Sequence, residues 1–409
     1  MIRWLSLLIA LALGLASSAA LADEVAQDAT PAAKRVMMMM QLGPEHYRSG
    51  SDYGGTYGDA MAEKAQLRQA RRIARDHALV VVDSWPMPQI GVNCIILEIR
   101  DARSVEAVVA ELGKVDGVSW SQPLNEFNTL NGSPPGHAVT PASYNDRLFP
   151  AQPAAVRWHL PSLHGVATGR GVSIAIIDSL VDVRHPDLAG QIAGAVDFVP
   201  GRPLAERHGT GVAGIIAARP NNAMGIAGVA PGARVIALRA CWERSRGGTT
   251  VCDSLSLARA LTYALDHEIG IVNLSLTGPR DPLLAQLIEL AQKRGVIVVA
   301  AIDPANPPAS FPASLPGVIP VADERLSGKL GSAYIAPGLD VPTTEPEGKW
   351  DLVSGSSFAA AHVSGLFALL RQLSGRHLSP EALLGPRGTI DACAAMARVS
   401  RLDRACLPR

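Results

Sequence analysis

Short apolar segments in the second half of the chain constrain its fold more than any other feature. Each is a nearly continuous run of Val, Ile, Ala and Leu, at 172–177, 234–238, 271–276, 296–302 and 318–321. Such runs are typical of strands that are buried on both faces, as in a parallel sheet. Helical patterns alternate with them, near 209–218, 254–266, 281–293, 357–373 and 379–384. We therefore predict a doubly wound α/β domain over residues 146–409.

The residues before this domain predict three further parts. Residues 1–22 have a basic start, an apolar run and the small-residue exit Ala20-Leu21-Ala22, the pattern of a cleaved secretory signal peptide. An uncleaved membrane anchor is the alternative. The pattern of residues 23–130 indicates strands and helices in the order β-α-β-β-α-β, which predicts a small α+β domain of ferredoxin-like topology. A Gly/Pro-rich linker over 131–145 follows it.

The overall composition limits the possible partners. Hydrophobic residues make up 48% of the 409 residues and charged residues 18%, which is ample for a large core. The formal net charge is zero, so the chain has no electrostatic signature of nucleic-acid or anionic-membrane binding. We expect a monomer that does not interact with membranes once the signal peptide is removed.

The chain has five cysteines, a number that fits an exported protein with disulfide bonds. Cys241 and Cys252 flank a polar loop and form one candidate pair. Cys393 and Cys406 form a second, and Cys94 is left over. Four cysteines allow three connectivities, so this pairing is a hypothesis.

Three polar residues supply the chemistry of acyl transfer. Asp178 ends the first apolar run, and His208 precedes a series of small residues. Ser357 lies where a turn passes into a buried helical pattern, so the backbone N–H groups of the first helical turn could hold a developing oxyanion. These residues can form a nucleophilic triad. In such a triad the acid orients the imidazole, and the imidazole takes the proton of the hydroxyl group.

The segments around these residues resemble the subtilisin-type (subtilase) serine proteases. The matching stretches follow the family order over nearly all of residues 150–375: Ile177-Asp178-Ser179-Leu180-Val181-Asp182, His185-Pro186-Asp187-Leu188, His208-Gly209-Thr210-Gly211-Val212-Ala213-Gly214, Gly228-Val229-Ala230-Pro231, Val272-Asn273-Leu274-Ser275-Leu276, Ala336-Pro337-Gly338 and Gly355-Ser356-Ser357-Phe358. The resemblance implies an endopeptidase that acts on polypeptides through an acyl-enzyme, with Asp178, His208 and Ser357 as its triad. It also implies that the edge segment Ser275, Leu276, Thr277 and Gly278 pairs with an extended substrate.

One position departs from the family pattern. The family places an Asn, the second oxyanion donor, directly after the strand that matches 296–301, and this chain has Asp303 there, with Asn306 as the next candidate. An ionised Asp would repel the oxyanion, whereas a protonated one could donate a hydrogen bond to it.

The resemblance also suggests a structural calcium ion. Asp187 matches a carboxylate ligand of the family and Asn222 a loop ligand, with loop carbonyl groups to complete an all-oxygen shell. An Asn-rich turn does not require an ion, so calcium is one of two interpretations. No cofactor is expected for catalysis.

The first domain resembles the inhibitory propeptide of the family. Residues 105–123 are similar to its last helix and strand, which implies that the chain is a zymogen that binds its own propeptide and cuts it off between Leu124 and Tyr144. With the signal peptide, this predicts a secreted or periplasmic protease.

The sequence also allows other functions. The missing Asn allows a subtilase-fold pseudoenzyme that acts as a binding module. Gly209, Gly211 and Gly214 match a dinucleotide-binding fingerprint, but a polar segment precedes them instead of a strand. A metal hydrolase is disfavoured because no His, Asp and Glu residues have ligand spacing.

Overall fold

The computed structural model describes residues 34–42, 55–129, 144–201, 204–245, 247–303, 305–326, 333–375 and 379–400. The predicted signal peptide, most of the predicted linker and Cys406 lie outside these residues.

The N-terminal part is a small α+β unit, as predicted. Its elements are β1 (Arg35–Gln41), α1 (Gly55–Asp76), β2 (Leu79–Met87), β3 (Val92–Ile99), α2 (Val105–Leu112) and β4 (Val118–Pro123). The strands form an antiparallel sheet in the order β2-β3-β1-β4, which is the ferredoxin-like order.

The sheet of this unit has a core on each face, because the five central residues of β1, 36–40, are apolar and buried. Met38 and Met40 pack with Ala70 and Val108, on the face that α1 and α2 cover. Alternate residues of a strand point to opposite faces, so Met37 and Met39 join the core of the larger part of the chain.

The larger part alternates strands and helices. Its elements are β5 (Glu126–Thr129), α3 (Pro153–Arg157), α4 (Leu160–His164), β6 (Ser173–Asp178), β7 (Ile192–Asp197), α5 (Arg207–Ala217), β8 (Arg234–Arg239), β9 (Cys241–Glu243), β10 (Thr250–Asp253), α6 (Ser254–Asp266), β11 (Ile271–Leu274), β12 (Leu276–Thr277), α7 (Pro282–Lys293), β13 (Ile297–Ala301), β14 (Ile319–Ala322), β15 (Tyr334–Ile335), β16 (Val341–Glu345), β17 (Lys349–Val353), α8 (Ser356–Ser374), α9 (Pro380–Leu384), β18 (Gly388–Thr389) and α10 (Ala392–Ser400).

The main sheet of this part is parallel, which confirms the predicted α/β fold. Its strand order is β18-β15-β14-β13-β11-β6-β8-β7. After β6 the chain builds towards β7 and β8, and from β11 it builds in the opposite direction. The crevice between the carboxyl ends of β6 and β11 is therefore a topological switch point, where open α/β sheets carry their sites.

One predicted strand is divided in the structure. The apolar run 271–276 forms β11, then Ser275 leaves the main sheet, and β12 begins a second sheet of order β12-β5-β10-β9. Periodicity does not detect this change, because the residues on both sides of Ser275 are buried.

Helix α8 runs through the core behind the switch point. Every residue from Ser356 to Arg371 is buried, because the sequence presents small or apolar side chains on all faces of the helix. It packs against α5 and against β11, β13 and β14. The start of α8 is therefore fixed against the carboxyl end of the sheet.

The cysteines follow the predicted pairing where they are described. Cys241 and Cys252 form a disulfide, and Cys94 is a buried free thiol. Cys393 is disulfide-bonded, while its predicted partner Cys406 lies outside the described residues.

Candidate active site

The fold brings Asp178, His208 and Ser357 to one edge of the main sheet. Asp178 is the last residue of β6, His208 is the second residue of α5, and Ser357 is the second residue of α8. All three are nearly fully buried, with relative exposures of 1%, 3% and 0%.

Asp178 and His208 are directly hydrogen-bonded. The Nδ1 atom of His208 lies 2.7 Å from Oδ1 of Asp178. An ionised carboxylate only accepts, so Nδ1 carries the proton and Nε2 of a neutral ring is left as an acceptor. Within the described part of the chain, this buried Nε2 has no hydrogen-bond partner. It is placed to receive a proton.

Close approach of α5 to β6 makes this contact possible. A Cβ atom at Gly209 would lie 2.2 Å from the carbonyl oxygen of Ser179. Only glycine allows the helix to begin so near the end of the strand.

Ser357 is held by reciprocal hydrogen bonds to Ser275. Its Oγ donates to the carbonyl oxygen of Ser275 at 2.9 Å, and Oγ of Ser275 donates to the carbonyl oxygen of Ser357 at 2.9 Å. Asn273 continues this buried network, since it donates to Oγ of Ser275 and accepts from Ser364. The start of α8 is thus tied to the end of β11.

The two helices that carry the imidazole and the hydroxyl touch beside the site. The ring of Phe358, which directly follows Ser357, lies 5.4 Å from the imidazole of His208 between centroids. Gly355 precedes the helix at φ +151°, a conformation that favours glycine. This turn presents the first backbone N–H groups of α8 at the site.

The predicted edge segment is already paired with another strand. Leu276 and Thr277 run antiparallel to β5, with Leu276 opposite Thr129 and Thr277 opposite Asn128. On its other side β5 pairs with β10, where Cys252 lies opposite Phe127. Residues 126–129 therefore fill the space between two strands of the larger part, although the sequence placed them in the first domain.

Phe127 anchors this inserted strand. Its side chain is fully buried, and its ring centroid lies 6.0 Å from that of Phe311. A Cβ atom at Gly278 would come within 2.2 Å of the Phe127 ring, so the last residue of the edge segment must be small for the ring to fit.

Asp303 lies two residues after the end of β13, and the structure gives it local contacts. Its N–H donates to Oγ of Ser310 at 2.9 Å, and its Oδ1 accepts from the N–H of Ala305 at 2.8 Å. Asn306 is exposed. Sequence reasoning missed Ser310, a buried residue that ties both ends of this loop together through a second bond to the carbonyl oxygen of Asn306.

The predicted calcium ligands Asp187 and Asn222 are in contact. Nδ2 of Asn222 donates to Oδ1 of Asp187 at 2.7 Å, and the other carboxylate oxygen accepts from the indole N–H of Trp350 and the N–H of Ile226. A cation needs oxygen atoms where these N–H donors lie. The arrangement does not fit calcium as it stands, so that site remains a prediction that requires the Asn222 amide to turn.

Sequence reasoning missed two buried carboxylates, one beside the Asn222 loop and one at the start of α5. Burial and the charge of Asp187 raise the pKa of Asp146, which accepts hydrogen bonds from the N–H groups of Asn221 and Asn222. Burial also raises the pKa of Glu206, the residue before α5. Nothing in the local sequence distinguishes either from a surface acid.

Glu206 links the His208 helix to neighbouring strands. Its carboxylate accepts from the N–H of Leu180, directly after β6, and from the N–H of Glu243 in β9. Glu243 in turn accepts from the N–H of Arg207. The position of His208 thus depends on β9 as well as on β6.

The described residues include no group of three or more His, Cys, Asp or Glu placed to hold a metal ion. Nor does any helix among them have the length and apolar character to span a membrane.

Known proteins match this chain in sequence and in structure. A sequence profile of the Subtilase family matches residues 169–384. Thermitase of Thermoactinomyces vulgaris is 37% identical over 51% of this chain and 78% of its own length, and Subtilisin BL of Lederbergia lenta is 35% identical over 53% and 82%. Fervidolysin from Fervidobacterium pennivorans, a keratinolytic enzyme related to subtilisin, shares the fold with a TM-score of 0.68 at 20% identity, over 90% of this chain and 62% of that protein.

Proposed function

The chain belongs to the subtilase family and is a serine endopeptidase of the subtilisin type, and on this premise we propose that Asp178, His208 and Ser357 are its triad. The observation that carries the assignment is the 2.7 Å contact between Asp178 and His208 at the switch point of the sheet. Asp178 orients the ring and stabilises its cation, which leaves Nε2 to act as the base.

The proposed reaction proceeds through an acyl-enzyme. The Ser357 hydroxyl turns from Ser275 towards His208, its oxygen bonds to the substrate carbonyl carbon, and its proton passes to Nε2. The Ser357 N–H, in the first turn of α8, donates to the resulting oxyanion. The C–N bond then breaks as the amine takes the proton from His208, and water hydrolyses the ester by the same steps.

Asp303 is proposed as the second oxyanion group. Only its protonated form has a proton to donate, while its ionised form opposes negative charge on the substrate. We expect turnover to be lower with this carboxyl group than with an amide at the same place.

We also propose that residues 23–130 are an inhibitory propeptide. Support comes from β5, which lies antiparallel to the predicted substrate-binding segment and ends at Thr129 opposite Leu276. Ser275 directly precedes Leu276 and contacts Ser357, so the nucleophile lies one register step beyond Thr129. The bond proposed to be cut is therefore Leu130–Asn131, within the predicted window. A signal peptide over 1–22 would direct the zymogen to the periplasm or the medium.

A fluorophosphonate probe tests the triad. The processed protein should be labelled once, and Ser357→Ala should abolish both labelling and peptide hydrolysis. Ser374→Ala, at the far end of the same helix, is the matched control and should keep both. If the wild type is not labelled, or if Ser357→Ala is still labelled, the assignment is wrong and a non-catalytic binding module gains support.

A further inference from the structure

The Cys241–Cys252 disulfide lies in one wall of the peptide-binding cleft. The two cysteines are directly opposite each other in the antiparallel pair of β9 and β10, and both are fully buried. The second edge of β10 faces β5, with Val251 opposite Asn128. The disulfide therefore includes a residue of β10, the strand that pairs directly with the segment in the cleft.

The wall formed by β9 and β10 is stabilised while β5 occupies the cleft, because β5 completes a four-stranded sheet. With β5 in place, the order is β12-β5-β10-β9. Without it, β10 and β12 are two strand spacings apart, roughly 9.5 Å, and do not pair. What remains of the wall is a ribbon of two short strands, and such a ribbon is marginally stable in water.

The two ends of the β9–β10 ribbon contact the starts of two helices, α5 and α6. At one end Glu243 is hydrogen-bonded to Glu206 and Arg207, the residues before His208. At the other end Asp253 caps α6 by accepting from the N–H of Ser256 at 2.7 Å. These contacts anchor the ends of the ribbon, but not the register between its strands at Cys241 and Cys252.

We propose that the Cys241–Cys252 disulfide is a positioning element for extended peptide substrates, which keeps β10 in register as the outer wall of the empty cleft. The inference rests on the proposed function, because it assumes that substrates bind where β5 lies. The disulfide does not touch the reacting atoms and is not a catalytic residue. Its effect is on peptides long enough to pair with β10.

The test compares two substrates on the processed enzyme, with active sites counted by fluorophosphonate. A tetrapeptide anilide extends along β10, whereas p-nitrophenyl acetate reaches only the acyl-transfer site. In Cys241→Ala/Cys252→Ala, KM for the tetrapeptide should rise about tenfold, the equivalent of one or two lost backbone hydrogen bonds. The kcat/KM for the acetate should stay within about twofold of wild type.

Matched variants separate this role from general stability. Cys393→Ala removes the described partner of another disulfide, in α10, and should leave both substrates unaffected. Cys241→Val/Cys252→Val restores apolar volume without the covalent bond and should show the same rise in KM.

Three outcomes would overturn the inference: unchanged kinetics in both double variants, equal losses on both substrates, or failure of both variants to fold. If instead wild-type enzyme is inert towards both substrates and the probe, the proposed function fails first.

Discussion

Replacement of Phe127 should weaken the binding of residues 126–129 in the cleft more than replacement of any other residue of β5. The side chain is fully buried in the cleft and packs against the ring of Phe311. Burial of a Phe side chain contributes about 1.5–3 kcal/mol, and an aromatic pair adds about 0.5–1.5 kcal/mol. Loss of about 3 kcal/mol corresponds to about 100-fold in affinity.

The assay uses synthetic peptides that span residues 118–130 as inhibitors of tetrapeptide hydrolysis by the processed enzyme. The Phe127→Ala peptide should have an inhibition constant about 100-fold higher than the wild-type peptide. Asn128→Ala is the control on the same strand, because that side chain is exposed, and it should change the constant by less than about threefold. Because the peptides lack the rest of the first domain, the folding of that domain does not enter the comparison.

Equal weakening of inhibition by both substitutions would refute the role assigned to Phe127, and so would a Phe127→Ala peptide that inhibits as well as the wild-type peptide. Equal effects would mean that backbone pairing with β10 and β12 dominates and that the aromatic side chain contributes little.

Three further predictions concern the site and its helix. Asp178→Asn should lower kcat by about 10⁴ because an amide that donates to Nδ1 holds the imidazole in the tautomer whose Nε2 is protonated and cannot act as the base, and stopped-flow or steady-state peptide hydrolysis measures it; a loss of less than about tenfold would contradict the triad. Asp303→Asn keeps an acceptor for Ala305 and adds a donor for the oxyanion, so kcat at pH 7 should rise by about 10²; a fall at every pH would refute its proposed role. His362 is buried in α8, and burial lowers its pKa from 6.5 to about 4. Between these values only the unfolded chain binds the proton, so stability falls as pH decreases from 6.5 towards 4. In urea unfolding of the Ser357→Ala chain, His362 should contribute about 2 kcal/mol to the change in stability between pH 7 and pH 5, and His362→Gln should remove that contribution.

The parallel sheet and its order of motifs could be predicted from the sequence. Apolar runs such as 172–177 have no polar alternation, and only burial on both faces accommodates them. The same local logic placed Asp178 at the end of a strand and Ser357 at the start of a buried helix. Both positions depend on neighbours in the chain, which a sequence displays directly.

The contacts between distant segments could not be predicted in this way. Neither the insertion of Glu126–Thr129 between β10 and β12 nor the burial of Glu206 has a local signature, because each depends on partners at least 26 residues away. The division of the run 271–276 at Ser275 was missed for a related reason. A residue that leaves one sheet for another can stay buried throughout, and its hydropathy does not change.

The sequence by itself determined the class of fold, the helices and strands that carry the three polar residues, and the family they resemble. Only the tertiary structure decided that the imidazole and the carboxylate meet at 2.7 Å, and that residues 126–129 lie between β10 and β12 with Phe127 fully buried. The physical reason is that periodicity records which side of an element is buried, whereas a site depends on which elements face each other. Which elements face each other is determined by packing across the whole sheet, and the spacing of residues in the sequence does not show it.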